Sequence, residues 1–278
     1  MPTPENPRSP LDVAEITTEL AAAGLVLPPP IVLSTTQSTN ADAARLIADA
    51  APDWTIVVAD HQSAGRGRLD RSWESKPGAA LLASVIARPP SHFAPESLGW
   101  IPLMAGVVVA ESLRTFGIMT GLKWPNDVVI DGPSFDGSAG PRKIAGILVE
   151  RHGDGVVIGI GINIFGAAGE LPVPNATSIA AEGRNEVDRT ALLVTVMGAL
   201  NSEWEHWADR DGDANASGLA QKYRALCLTI SRQVRVQMAD GHDLVGQATD
   251  VDSHGRLLLA TQDDRLRAIA AGDVFHLR

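Results

Sequence analysis

Hydrophobic and polar positions alternate between two periods along this chain. Apolar residues at Leu11, Ala14, Leu20 and Ala21 predict a short helix over 11–23 that stops at Gly24, and Pro28, Pro29 and Pro30 then force an extended break. A strand is predicted at Ile31 to Leu33, followed by a helix from Asn40 to Ala50 with Ser38 or Thr39 as its N-cap. Trp54 to Ala59 and Ala79 to Ala87 read as buried strands, and Trp100 to Phe116 as a long, largely buried helix. Strands follow at Val128 to Ile130, Ile144 to Glu150 and Val156 to Ile164. Leu192, Val196, Leu200 and Trp204, each four apart, predict a helix over 188–209, with a shorter one at Leu219 to Leu226.

From Thr229 the character changes to short strands punctuated by turns at Ala239-Asp240-Gly241, Ser253-His254-Gly255 and Gln262 to Asp264, which predicts a small β-barrel. The expected organisation is an N-terminal tail and short helix over 1–30, an α/β (α+β) domain over 31–225 and a β-domain over 226–278. The first ten residues hold four prolines and predict a mobile tail, and DGPSFDGSAGPR at 131–142 predicts a loose insert.

Composition narrows the function classes. At 45% hydrophobic and 20% charged the chain is globular. Its formal charge of −10 opposes a general nucleic-acid coat, so any basic function is local. One cysteine, Cys227, forms neither an intrachain disulfide nor a thiolate zinc cluster and suits a cytoplasmic protein; it reads as a small buried hydrophobe. Apolar stretches such as Ile101 to Ala110 fall short of a membrane span, and no hydrophobic run follows the start. The spacings of a P-loop, a G-x-S-x-G elbow and an HExxH cluster are lacking.

Against that acidic background, Gly65-Arg66-Gly67-Arg68 with Arg71 and Trp73 concentrates cations where glycines let backbone amides approach an anion. The alternative is a solvated basic loop. Its place after a strand, beside Asp60, His61 and Gln62, favours a ligand rim. Only four lysines accompany nineteen arginines, and two of them, Lys123 in LKWPND and Lys143 in RKIAG, stand at strand mouths. There an ammonium can follow a migrating negative charge or merely snorkel. Gly159 and Gly161 alternate along a strand, leaving a bare face for a flat ring or for close helix packing. The same run lacks the third glycine of a dinucleotide fingerprint.

In order, Ser38-Thr39-Asn40, His61-Gln62, GRGRLDRSW at 65–73, KWPND at 123–127, KIAGILVE at 143–150, GIGINI at 159–164 and the closing GDVFHLR resemble the biotin protein ligases from about residue 31 onward. The resemblance implies a mixed sheet flanked by helices, related to class II aminoacyl-tRNA synthetases, with an SH3-like C-terminal domain. It implies that biotin and MgATP give biotinyl-5′-AMP, and that the biotinyl group then passes to a lysine of a biotin carboxyl carrier domain, as of acetyl-CoA carboxylase. Ser38, Thr39, Asn40 and Gln62 match biotin contacts, and Arg66, Gly67 and Arg68 the loop that holds its carboxylate. Lys143 matches the lysine bridging carboxylate and α-phosphate, with Lys123 and Arg68 as further catalytic cations. Gly65, Arg71, Trp73, Lys123, Asn126 and Asn163 match the nucleotide side.

Two departures stand out: Leu69 and Asp70 follow GRGR where many relatives carry basic residues, and the 131–142 insert lengthens the step from KWPND to KIAG. Thirty proline-broken residues before the first strand supply no DNA-binding domain, which points to the monofunctional type, a monomer or homodimer acting on neither DNA nor membrane. Lipoate or octanoate ligation, or biotin binding without catalysis, are the competing readings.

Overall fold

The computed structural model describes every residue except 1–7, 70, 136, 138, 139, 168, 169, 239, 264 and 278. The expected tail, Asp70, part of the insert, two turn residues and the last arginine thus fall wholly or partly outside the described residues.

Helix α1 (Val13–Ala22) is capped by the Asp12 carboxylate, which accepts from the N–H groups of Ala14 and Glu15. After β1 (Ile31–Leu33), α2 (Thr39–Ala48) begins with Ser38 as N-cap, and β2 spans Ile56–Ala59. The basic loop is itself a two-stranded hairpin, β3 (Gly65–Arg66) and β4 (Ser72–Trp73), which its glycine-rich composition concealed. There follow β5 (Ala80–Ala87), α3 (Ile101–Thr115), β6 (Gly121–Lys123), β7 (Asp127–Ile130), β8 (Arg142–His152), β9 (Gly155–Asn163), α4 (Arg189–Ala208) and α5 (Leu219–Leu226). Strand β6, three residues long, carries too little pattern to be read from sequence. Together with the 3₁₀ turn before it, α3 forms a stretch, Pro95–Thr115, long and apolar enough to cross a membrane by length and composition. Two-thirds of it is buried here as a core helix.

The main sheet runs β1-β2-β5-β9-β8-β7-β6 and is antiparallel except for the parallel β1–β2 pair. Alternation assigns its faces. Leu81, Ala83 and Val85 of β5 and Ile158, Ile160 and Ile162 of β9 join one large core with α1, α3 and α4. The opposite face carries Leu82, Ser84 and Ile86 of β5, set beside Gly161, Gly159 and Val157 of β9. Helix α2 covers only part of it, packing Ala43 and Ile47 on Val57, Ile86 and Val157. The uncovered remainder is floored by glycine. The ligand loops therefore stand over a sheet face, not at the strand tips of a parallel sheet as the analogy used above would have it.

Strands β10 (Gln233–Gln237), β11 (Asp243–Val251), β12 (Leu257–Thr261), β13 (Leu266–Ile269) and β14 (Asp273–His276) form an antiparallel sheet in the order β13-β12-β11-β10-β14. Three tryptophan bonds moor it. Trp100 Nε1 donates to Ser253 O (2.8 Å), Trp124 Nε1 to Gly255 O (3.0 Å) and the Trp124 N–H to Thr229 Oγ1 (3.1 Å). Gly99 makes this approach possible, because a Cβ there would lie 2.4 Å from His254 O.

Candidate functional site

A cleft of about 660 Å³ opens on the bare face of the sheet. It gathers Ser38, Thr39, Asn40 and Gln62 at one end, Arg66, Gly67, Arg68, Arg71 and Trp73 from the hairpin, Lys123, Lys143 and Asn163 from the strands, and Asn126 from the β6–β7 turn. Three residues expected nearby are placed elsewhere. Gly65 sits at the base of the hairpin, where a Cβ would stand 2.4 Å from Trp73 O, His61 does not line the cleft, and Asp60 pairs with Arg189 at 2.7 Å instead.

Lys143 reaches this face through a register shift. Val128 pairs with Ala145 but Val129 with Lys143, so Ile144 is an extra residue in β8. Ile144 and Ala145 both go into the core. The bulge thereby reverses the alternation, and the Lys143 ammonium lies over Gly146, within 2.9 Å of where its Cβ would be. The Lys143 backbone is also held from the 175–177 segment, its N–H donating to Asn175 O (2.7 Å) and its carbonyl accepting from Thr177 N–H (2.8 Å). Asp127 aims the side chain, with Oδ1 2.5 Å from Nζ.

The other cations are arranged around it. Burial pushes Lys123 below the ordinary lysine value, Asp127 opposing and the Lys143 charge adding to the fall. Burial likewise lowers Arg68, against the pull of Asp273 and Asp127. Arg66 pairs with Glu150 at 3.1 Å, and Arg71 with Asp273 of β14. Asn126 donates to Ile147 O (2.7 Å), stitching the β6–β7 turn to β8, and accepts from Arg68 at 3.4 Å. Asn163 donates to Thr177 O (3.0 Å), tying β9 to the same segment that holds Lys143.

Three glycines make room for three side chains, Asn40, Trp73 and Lys143. A Cβ on Gly159 would lie 2.1 Å from Asn40 Oδ1, and one on Gly161 2.7 Å from the Trp73 indole. One on Gly146 would meet both Trp73 and Lys143 at 2.9 Å. Trp73 thus lies flat against the glycine floor, with Lys143 Nζ 5.5 Å from its ring. The indole Nε1 is buried without a hydrogen-bond partner among the described residues. The sheet's bare strip therefore serves a side chain in this structure as readily as the flat ring that the alternating glycines suggested.

Asn40 differs from its neighbours. Its Nδ2 donates to Leu148 O (3.2 Å) and Glu150 Oε2 (2.7 Å), and its Oδ1 faces Ser84 Oγ (2.6 Å). Its amide is taken up by the protein. Sequence reading missed Ser84, Asp127, Glu150, Asp273 and Phe275. The last two come from the far end of the chain, and Phe275 lies under Lys123 (5.9 Å) and Arg235 (4.2 Å) at the cleft rim. Asp127 stood inside KWPND, Glu150 at the end of KIAGILVE, and Asp273 and Phe275 inside the closing GDVFHLR, whereas Ser84 lay in none of the quoted motifs.

Residues 31–163 match the family described as Biotin/lipoate A/B protein ligase family, and residues 229–277 match Biotin protein ligase C terminal domain. The chain is similar to the biotin--[acetyl-CoA-carboxylase] ligase of Mycobacterium tuberculosis (strain ATCC 25618 / H37Rv), with 37% identity over 98% of this chain and 97% of that protein. The ligase of the same name from Paracoccus denitrificans is 31% identical over 88% of this chain and 99% of its own. Among solved structures, the biotin protein ligase from Aquifex aeolicus in complex with biotin and ATP superposes with a TM-score of 0.71. At 24% identity, over 90% of this chain and 98% of that one, it carries the likeness of fold.

Proposed function

This chain belongs to the biotin/lipoate A/B protein ligase family and is a biotin protein ligase, and from that premise we propose how its own side chains divide the work. The observation that carries the assignment of roles is the convergence of Arg68, Lys123 and Lys143 on one cleft whose closed end is polar and whose floor is glycine.

Ser38, Thr39 and Gln62 receive the ureido ring, and the glycine strip bears the body of biotin once Trp73 lifts from it. The loop cations meet the carboxylate. In the first step a carboxylate oxygen attacks the α-phosphorus of ATP, the bond to the β-phosphate bridge breaks and pyrophosphate leaves. Two anions must meet for this, and Lys143 stands between them, released from Asp127 as the ligands' negative charge competes for it. Lys123 and Arg68 steady the phosphates, Asn126 and Asn163 hold the surrounding turns, and Arg66, Gly67 and Arg71 close the hairpin over the product so that water does not reach the mixed anhydride. In the second step the carrier lysine, as the free amine, attacks the biotinyl carbonyl, the bond to the AMP oxygen breaks and the amine sheds its proton.

Magnesium enters as part of the substrate MgATP. Among the described residues no three His, Cys, Asp or Glu side chains are gathered for a metal, which fits an ion carried chiefly by phosphates. The catalytic domain is proposed over 31–225 with a class II synthetase-like sheet, and the SH3-like domain over 226–278. A cytoplasmic setting, with neither DNA nor membrane as partner, suits the acidic surface charge and lone buried cysteine.

Transfer of labelled biotin to a purified carrier domain tests these roles. Lys143→Ala is expected to form no biotinyl-AMP while keeping the wild-type circular dichroism spectrum and melting temperature. A folded variant that forms the adenylate at near-normal rate would refute the role of Lys143.

A further inference from the structure

Ser84 is fully buried on β5 and does not line the cleft, yet its hydroxyl touches two residues that do. Ser84 Oγ lies 2.8 Å from Thr39 Oγ1 and 2.6 Å from Asn40 Oδ1. One hydroxyl carries one proton and cannot donate to both. Asn40 decides the matter. Its Nδ2 faces the Leu148 carbonyl and the Glu150 carboxylate, both pure acceptors, so its Oδ1 faces Ser84 and takes the serine proton.

The remaining bonds then have a fixed direction. With the serine proton given to Asn40, the 2.8 Å contact between the two hydroxyls is a hydrogen bond only if Thr39 donates to Ser84 Oγ, which leaves the Thr39 oxygen lone pairs for the cleft. Gln62 Oε1, at 3.0 Å, is a second acceptor for the same proton. Gln62 Oε1 also accepts the Thr39 N–H (2.8 Å), so its Nε2, which lies over Gly65, is left as a donor. Ser38 Oγ accepts the Ala41 N–H at 3.4 Å as helix cap, and its proton is free to donate. The closed end thus offers an acceptor at Thr39 and donors at Ser38 and Gln62. One ureido N–H can donate to Thr39 while the ureido carbonyl accepts from one of those donors.

We propose that Ser84 is a positioning residue for substrate specificity: held by the Glu150–Asn40 pair, it forces the Thr39 hydroxyl to accept a hydrogen bond from a ureido N–H of the ligand. Arg66 binds the same Glu150, so these contacts also link the ring end of the site to the hairpin. The proposal rests on the biotin reading above.

The test is ATP–pyrophosphate exchange by the full chain with biotin, desthiobiotin and the two lactam analogues in which one ureido N–H is replaced by CH₂. Wild type is expected to prefer biotin over at least one lactam by about 30-fold in kcat/KM, because a buried acceptor left unpaired is costly. Ser84→Ala should shrink that preference at least about fivefold, since Thr39 then loses the contact that compels it to point its proton into the wall and keeps only Gln62 Oε1, which it already engages through its N–H. The preference over desthiobiotin, which keeps both N–H groups, and the KM for ATP should not move. Ser84→Thr, which restores the hydroxyl, should restore the preference. An intact lactam preference in Ser84→Ala would overturn the proposal, as would an equal loss for desthiobiotin. Should Ser84→Ala not fold, Ser84→Cys is the deciding variant, its thiol being a poor donor and acceptor: a lost preference supports the role and a retained one overturns it. Wild-type protein without biotin-dependent exchange would instead refute the biotin reading itself.

Discussion

Glycine 159 and glycine 161 stand two residues apart on one strand and are expected to respond differently to the same added methyl group. At Gly159 the new Cβ meets Asn40, whose amide is held on three sides by Leu148, Glu150 and Ser84. At Gly161 it meets the Trp73 indole, borne on a two-stranded hairpin that can give way. Gly159→Ala should therefore lower stability by about 1–3 kcal/mol and raise the biotin KM about tenfold or more, with Gly161→Ala costing clearly less stability. Thermal melts and exchange kinetics on the two variants check this, and equal effects would contradict it. The sequence showed that one face of this strand lacked side chains. It did not show what fills the space, because Asn40 and Trp73 reach it from more than eighty positions away. The same holds for Asp127 and Lys143: both stood in recognised motifs, but their pairing depends on β7 lying beside β8, which neither motif contains.

Among the elements, the hairpin of β3 and β4 is the one proposed to decide how long an activated intermediate survives. Its free end is tethered by Arg66 to Glu150 and by Arg71 to Asp273, the latter on the C-terminal sheet. Arg68→Gly is expected to release biotinyl-AMP into solution, because the inward-facing cation of the loop is gone. Intermediate trapped as tightly as in wild type would count against that. Arg71→Ala and Asp273→Ala should each quicken hydrogen exchange over 65–73 and increase adenylate release several-fold, and the double variant should be no worse than either alone, since partners in one contact are not additive. Independent, additive effects would show that the pair does not clasp the loop. Predicting this hairpin from sequence failed for a physical reason. Its strands are two residues long, Gly-Arg and Ser-Trp, so they are too short to carry an alternation of apolar residues to read. The long elements were legible because burial imposes a period on them, as in α4, where Leu192, Val196, Leu200 and Trp204 all point into the core.

On the scale of the whole molecule, the small C-terminal sheet is part of the site's wall, through Asp273, Val274 and Phe275. Its seam with the larger domain contains His276, whose Nε2 lies 3.1 Å from Thr229 Oγ1, the hydroxyl that also accepts from Trp124 N–H. Burial first, then the charges of Lys123 and Arg232, push this imidazole down to about 4. An unfolded histidine titrates near 6.5 and would bind a proton that the folded one refuses, so this group's contribution is complete above about pH 6.5 and is lost as pH falls toward 4. It amounts to on the order of 2 kcal/mol after allowance for partial exposure. His276→Gln should lose less stability than wild type between pH 6.5 and 4.5, and parallel melting curves would contradict the assignment. The turn spacing after Thr229 made this unit visible in the sequence. Its contribution to the cleft was not, because a β-domain's position is set by distant tryptophans, Trp100 and Trp124, that read simply as core. What joins all three scales is a cleft built to bring one ureido-bearing acid to ATP. ATP–pyrophosphate exchange with biotin, lipoate and octanoate at equal concentration tests that most directly: exchange with biotin alone is predicted, and exchange with lipoate or octanoate in its place would contradict it.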